Sequence, residues 1–249
     1  MNPLLPDAHE DRSTSRRGIL GVLGGMGPLA TADFFAKLVA LTPATSDDEH
    51  VPVLVASLPQ IPPRVPAILD DGASPLPALR AVRDRLVAGG ATLIAMPCNT
   101  AHHWYDALAR DGPPMLHIAD AAIAALRAVQ RAPARVGLVA TAGTLASGFY
   151  QRRLSDTGYA SVLPDDIEMT RDIVPAIAAV KAGRLHAGGE GFVRAARALR
   201  RRGADAVILA CTEVPPGVAA VGLPDDVLCI DATEALAGAC VAAWREGRL

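Results

Sequence analysis

Aromatic residues are scarce in this chain of 249 residues, Phe, Trp and Tyr making up 4%, and they do not interleave with basic residues along any stretch. Lysine and arginine number 24 against 26 acidic residues, a formal net charge of −2, with no basic arm or stripe. Nucleic acid is therefore not an expected partner. Cysteine is sparse too: the chain has four, with no C-x-x-C pair and no regular framework. That excludes a disulfide scaffold of the secreted kind, and makes thiols the expected sulfur state and the cytoplasm the expected compartment. No apolar run reaches the roughly 18 uncharged residues of a membrane span before Gly or Pro breaks it, so no membrane partner is expected either. Ser15-Arg16-Arg17-Gly18, ahead of an apolar stretch to Ala32, has the form of a twin-arginine export signal. Cleavage near Ala30 would delete a strand and a glycine loop that the rest of the pattern needs. Residues 1–17 are read instead as a polar, disordered tail.

What the chain has in quantity is apolar residues, 51% of the total, enough for one large or two modest cores. Strand and helix patterns alternate, which predicts an α/β protein with mainly parallel sheets. The first half reads as strands at 18–23, 51–57, 92–96 and 115–118, and helices at 29–41, 75–88, 101–110 and 119–130. A second set reads as strands at 135–140, 205–210 and 227–230, and helices at 144–156, 166–182, 188–202 and 232–245. Pro133 and its flanking alanines place a seam at 131–134. The predicted division is an N-terminal α/β domain over 18–130 and a C-terminal one over 131–231, with the last helix, in 232–249, packing back on the first domain.

The halves echo each other. Gly90-Ala91-Thr92-Leu93-Ile94-Ala95-Met96-Pro97-Cys98 and Gly203-Ala204-Asp205-Ala206-Val207-Ile208-Leu209-Ala210-Cys211 span the same interval, and each ends in a cysteine followed within two residues by a threonine. Gly27-Pro28-Leu29-Ala30-Thr31 and Gly143-Thr144-Leu145-Ala146-Ser147 form a second matched pair at nearly the same offset. Two landmarks in step indicate a duplicated unit. Ligands of open α/β sheets sit beyond the carboxyl ends of the strands, where both cysteines and both glycine turns fall, so the architecture expected is two pseudo-symmetric domains facing a central cleft that holds the site.

Cys98 precedes Asn99 and Thr100 at the start of a predicted helix, whose unpaired N–H groups favour a thiolate or a bound carboxylate. A buried structural cysteine explains Cys98 equally well by itself; its recurrence at Cys211-Thr212 turns the balance towards function. Cys229, inside Val227-Leu228-Cys229-Ile230, and Cys240, on the apolar face of the last helix, read as core. Gly24-Gly25-Met26-Gly27-Pro28 lacks the spacing and the acidic residue of a dinucleotide fingerprint. His102 and His103 follow Cys98 closely, but four metal ligands are wanted and no further cluster supplies them. Arg64, in a proline-stiffened loop, and Lys181, at a helix end before Gly183, remain unassigned on composition alone.

Taken together, Gly24 to Thr31, Gln60-Ile61-Pro62-Pro63-Arg64, Pro97-Cys98-Asn99-Thr100-Ala101-His102, Gly143-Thr144, Lys181-Ala182-Gly183 and Cys211-Thr212-Glu213 resemble the aspartate/glutamate racemase superfamily, most closely its aspartate racemase branch. The resemblance implies two similar α/β domains around a cleft, a homodimer, and racemisation of a small amino acid with no pyridoxal phosphate, metal or other cofactor. Carried over residue by residue, it makes Cys98 and Cys211 the paired acid and base, Cys98 acting on the D-enantiomer and Cys211 on the L-enantiomer. Asn99, Thr100, Thr144 and Thr212 would hold the α-carboxylate and amine, with Glu213 near the ammonium. Arg64 and Lys181 would take the acidic side chain, and Met26 and Gln60 complete the implied substrate contacts. The same frame serves broad-specificity and glutamate racemases and a maleate-type cis–trans isomerase. An amino-acid-binding protein could share the cleft but would need neither thiol, and a redox role would need the two sulfurs close enough to bridge.

Overall fold

The computed structural model describes residues 18–129 and 135–249; the predicted tail over 1–17 and the predicted seam at 131–134 lie outside them. Among the described residues the chain builds two four-stranded sheets, parallel throughout. The first contains β1 (Ile19–Gly24), β2 (Val53–Ser57), β3 (Ala91–Ala95) and β4 (Met115–Leu116), in the order β2-β1-β3-β4. The second contains β5 (Arg135–Ala140), β6 (Ala160–Val162), β7 (Ala206–Ala210) and β8 (Leu228–Asp231), in the order β6-β5-β7-β8. The repeat seen in the sequence is thus a repeat of topology. The inner strands are near-continuous runs of small and branched apolar residues, as strands covered on both faces must be. All five residues of β7 are buried, and its neighbour β5 pairs with it from Val136↔Ala206 to Ala140↔Ala210.

The helices follow the predicted alternation, with local corrections. The helix expected over 144–156 is two, Ala142–Ser147 and Phe149–Asp156, separated by Gly148 in the left-handed region at φ 67°. The stretch 166–182 starts with a reciprocal cap, Glu168 N–H donating to Asp165 Oδ1 and Asp165 N–H to Glu168 Oε2, both at 2.8 Å. It then widens into a π-type turn at Met169–Ile173 before Val174–Lys181. Pro175 accounts for the widening, because it lacks an N–H and its ring crowds the carbonyl four residues earlier. The strand β6 and the helices Arg64–Leu69 and Val214–Ala219 are additional; each is short, and both helices carry prolines in the first turn, which reads as loop in a sequence.

The largest core cluster ignores the boundary between the halves. It joins Leu20, Phe34 and Ile118 of the first half to Leu138, Tyr150 and Ile208 of the second, and to Leu236 and Trp244 of the last helix. That helix, Ala232–Arg245, packs on Pro28–Leu41 and Ile118–Arg127. Asp231 secures its start. Oδ1 accepts the N–H groups of Thr233 and Glu234 at 2.8 and 3.1 Å, while Oδ2 pairs with Lys37 at 2.6 Å.

Candidate active site

In each sheet the strand order reverses beside the first strand, between β1 and β3 and between β5 and β7, and such a switch point opens a crevice at the carboxyl ends. The chain leaves β1 through the glycine turn, which Thr31 pins: Gly25 N–H donates to Thr31 Oγ1 at 2.8 Å, and that hydroxyl donates to Gly27 O at 2.9 Å. Beyond β3 lie Cys98, Asn99 and Thr100, the last opening a tight helical turn, Thr100–Trp104. Beyond β5, Thr141 caps the helix Ala142–Ser147 by accepting the Thr144 N–H at 3.1 Å. β7 runs straight into Cys211, Thr212 and Glu213.

The two switch points face one cavity of about 160 Å³, lined by Cys98, Asn99 and Thr100 on one side and Cys211, Thr212 and Glu213 on the other. Met26, Arg64, Lys181 and Thr141 also line it. Both cysteines are free and nearly buried, 4% and 3% exposed, but their surroundings differ. Burial pushes the Cys98 thiol up, and Arg64, an N–H of Ala101 and Lys181 oppose the shift while Glu213 adds to it. Burial and then Glu213 push Cys211 well above the thiol range, and its S–H donates to Glu213 Oε2 at 3.1 Å. Burial thus raises both thiols, and Arg64 opposes the shift at Cys98 whereas Glu213 adds strongly to it at Cys211.

Arg64 does not lie in a loop, as its sequence context suggests, but opens the helix Arg64–Leu69. Its Nη1 donates to Ile61 O and Pro62 O at 3.2 and 3.1 Å, and its Nη2 to Met26 O at 3.2 Å. Lys181 ends the helix Val174–Lys181, is half exposed, and stands 3.7 Å from Glu213 Oε1. Thr144 is fully buried and works from behind the lining: Thr100, Thr141 and Thr144 form a triangle of hydroxyls with sides of 2.8, 3.0 and 2.9 Å. Gln60 is exposed and does not line the cavity, because β2 ends at Ser57 and the chain turns so that Ile61 is the buried residue. Thr141 is the lining hydroxyl that the sequence reading lacks; its signal is the Thr-x-x-Thr cap at the start of a helix.

His102 is not placed as a metal ligand. Its Nε2 accepts the Ile118 N–H at 3.2 Å, so Nδ1 carries the proton and donates to Cys98 O at 2.9 Å. Burial lowers its pKa to about 4, keeping the ring neutral. His103 bonds Ser147 Oγ at 2.9 Å, and among the described residues no group of three His, Cys, Asp or Glu could hold a metal ion. Cys229 and Cys240 lie away from the cavity, their thiols pushed up by burial to about 11 and about 12. A second cavity of about 370 Å³ shares Arg64, Lys181, Thr212 and Glu213 with the first and adds Leu29, Val180 and Pro216.

The described residues thus form a duplicated parallel α/β fold with one free thiol from each half at a shared cavity. Residues 23–240 match the model of the Asp/Glu/Hydantoin racemase family, and the chain belongs to that family, as an amino-acid racemase. Among solved structures it is similar to the aspartate racemase of Picrophilus torridus, with a TM-score of 0.79, 30% identity, and coverage of 93% of this chain and 98% of that one. It is 26% identical over 204 residues to the broad specificity amino-acid racemase RacX of Bacillus subtilis (strain 168), covering 79% of this chain and 86% of that protein. It is 33% identical over 165 residues to the glutamate racemase of Corynebacterium kroppenstedtii, covering 62% of this chain and 54% of that protein.

Proposed function

We propose that the protein interconverts L- and D-aspartate by two-base proton transfer between Cys98 and Cys211. The observation that carries this reading is that the two buried thiols line the same small cavity from opposite halves. The Cys98 thiolate takes the α-proton, becoming a thiol and leaving the electron pair on Cα. Hydroxyl and amide groups of Asn99, Thr100 and Thr212 stabilise the charge that spreads into the α-carboxylate, and Cys211 gives its proton to the opposite face, becoming the thiolate for the reverse reaction. Glu213 faces the substrate ammonium, and Arg64 and Lys181 face the side-chain carboxylate. The reaction needs no cofactor. We assign the first sulfur to the D-enantiomer and the second to the L-enantiomer.

The cavity of about 370 Å³ beyond Arg64 and Lys181 favours a second reading, in which longer side chains are also accepted. Incubating the protein with a panel of single-enantiomer amino acids in deuterated water, and following loss of the α-proton signal together with optical rotation, tests both readings. Exchange without loss of optical activity, or no exchange with any substrate, rejects racemisation by two bases. We also propose a cytoplasmic homodimer, on the four unpaired cysteines and on the neighbouring side chains of Phe35 and Val39, both exposed one turn apart on Pro28–Leu41. Light scattering of the purified protein reports the oligomer.

A further inference from the structure

Tyr150 belongs to the second half, on the helix Phe149–Asp156, and is fully buried. Its hydroxyl crosses to the first half and donates to Asn99 Oδ1 at 2.7 Å. Asn99 lines the cavity beside Cys98, and its other amide atom, Nδ2, is buried without a partner in the protein. A buried donor left without a partner keeps its full desolvation penalty, and buried donors in folded proteins are nearly always paired. The alternative orientation of the amide does not relieve it. Turning the amide over would set Nδ2 against the Tyr150 oxygen, leave the phenolic O–H with no acceptor among the described residues, and present a carbonyl oxygen to a substrate carboxylate. Burial holds the Tyr150 phenol well above its ordinary range, so it remains a donor at any working pH. The unpartnered donor thus belongs to a residue that lines the cavity of the proposed reaction.

We infer that Tyr150 is a positioning residue whose hydroxyl locks the Asn99 amide with Nδ2 as a preset donor to the substrate α-carboxylate. The inference rests on the racemase reading of the site. As the α-proton leaves, negative charge moves into that carboxylate, and a donor already oriented by a buried neighbour stabilises it with no reorganisation at the moment of transfer. Because Tyr150 and Asn99 come from different halves, the donor is set only when the halves are docked.

Tyr150→Phe keeps the ring and its packing and removes only the hydroxyl, so the test is a double-mutant cycle of Y150F and Asn99→Ala, read as kcat and KM for aspartate. The expected result is a fall in kcat of about three- to tenfold for Y150F, the worth of one hydrogen bond, with a smaller change in KM. Y150F/N99A should then be no slower than N99A alone. Wild-type kcat in Y150F, or the same fractional loss whether or not Asn99 is present, overturns the inference and leaves Tyr150 a packing residue. Should Y150F fail to fold, Asn99→Asp decides the matter. Tyr150 would hold one carboxylate oxygen and turn the other towards the substrate carboxylate, so N99D should be slower than N99A, and a rate equal to or above that of N99A overturns the inference. Failure of the racemase reading would look different: the unaltered protein would exchange no α-proton.

Discussion

Cys98 and Cys211 are matched in position but not in electrostatics. Lys181 works against the effect of burial at both sulfurs, but Arg64 does so only at Cys98, while Cys211 has a carboxylate accepting its S–H. Cys98→Ser and Cys211→Ser should each lower racemisation by ~10²–10⁴-fold or more while the far-ultraviolet circular dichroism stays that of the parent. Cys229→Ser and Cys240→Ser should retain turnover, with C240S showing a lower melting temperature because its hydroxyl would be buried among apolar groups. Since the thiolate is the reactive form and burial raises both thiols, kcat/KM should climb with pH through the alkaline range. Glu213 raises the pKa of both sulfurs. Glu213→Gln should therefore move the climbing limb to lower pH, and under the proposed ammonium contact it should also lower the plateau. A pH–rate profile with an unmoved limb would show that Glu213 has no electrostatic hold on the thiols.

At the scale of single elements, short helices and turns carry more of the site than the long helices do. The helix Arg64–Leu69 brings a guanidinium onto the carbonyl of Met26, and the helix ending at Lys181 delivers an ammonium to the same rim. Replacing either with Met should depress kcat/KM for aspartate far more than for alanine or serine, because only the acidic side chain loses a charge-assisted hydrogen bond; equal losses across the panel would assign both residues to the fold or the α-carboxylate. The long helix Leu185–Arg201 starts three residues earlier than the 188–202 read from the sequence, and its first half carries Gly188, Gly189 and Gly191 although glycine weakens a helix. They are there for closeness. A Cβ at Gly189 would stand 2.2 Å from the Gly217 carbonyl oxygen on the neighbouring helix Val214–Ala219. Gly189→Ala should destabilise the protein by about 1–3 kcal/mol through overpacking, measured as a shift of the urea midpoint with unchanged slope, although alanine is the better helix former.

For the whole molecule, the core shared by both halves predicts one cooperative unfolding transition. Circular dichroism, which sums over both halves, and the fluorescence of Trp104 in the first half and Trp244 in the helix that returns to it should give coincident urea curves; separated midpoints would show that the halves melt independently. How much of this was legible beforehand follows from the range of the contacts involved. The strands and the cysteine pair are visible because buried parallel strands are nearly pure apolar runs and because a duplicated unit repeats its own signals. The roles assigned to Asn99, Arg64, Lys181 and Glu213 came through resemblance, whereas the Tyr150–Asn99 bond and the Arg64 grip on Met26 join residues 51 and 38 positions apart. No local pattern encodes such pairs. Gln60, which the resemblance placed at the substrate, sits one residue away from the buried Ile61, a difference that only the turn geometry decides.

The return of Ala232–Arg245 to the first half also bears on how the chain comes to be folded as it is made. A nascent chain that has completed β1 to β4 still lacks the helix that covers the inner sides of Pro28–Leu41 and Ile118–Arg127, so Phe34, Leu38, Ile118 and Ile123 have no permanent cover until the final stretch has emerged. Synthesis proceeds at about 5–20 residues per second, which leaves that surface waiting through the whole second half. Folding of the N-terminal half during translation therefore cannot complete this shared core until Ala232–Arg245 has been made.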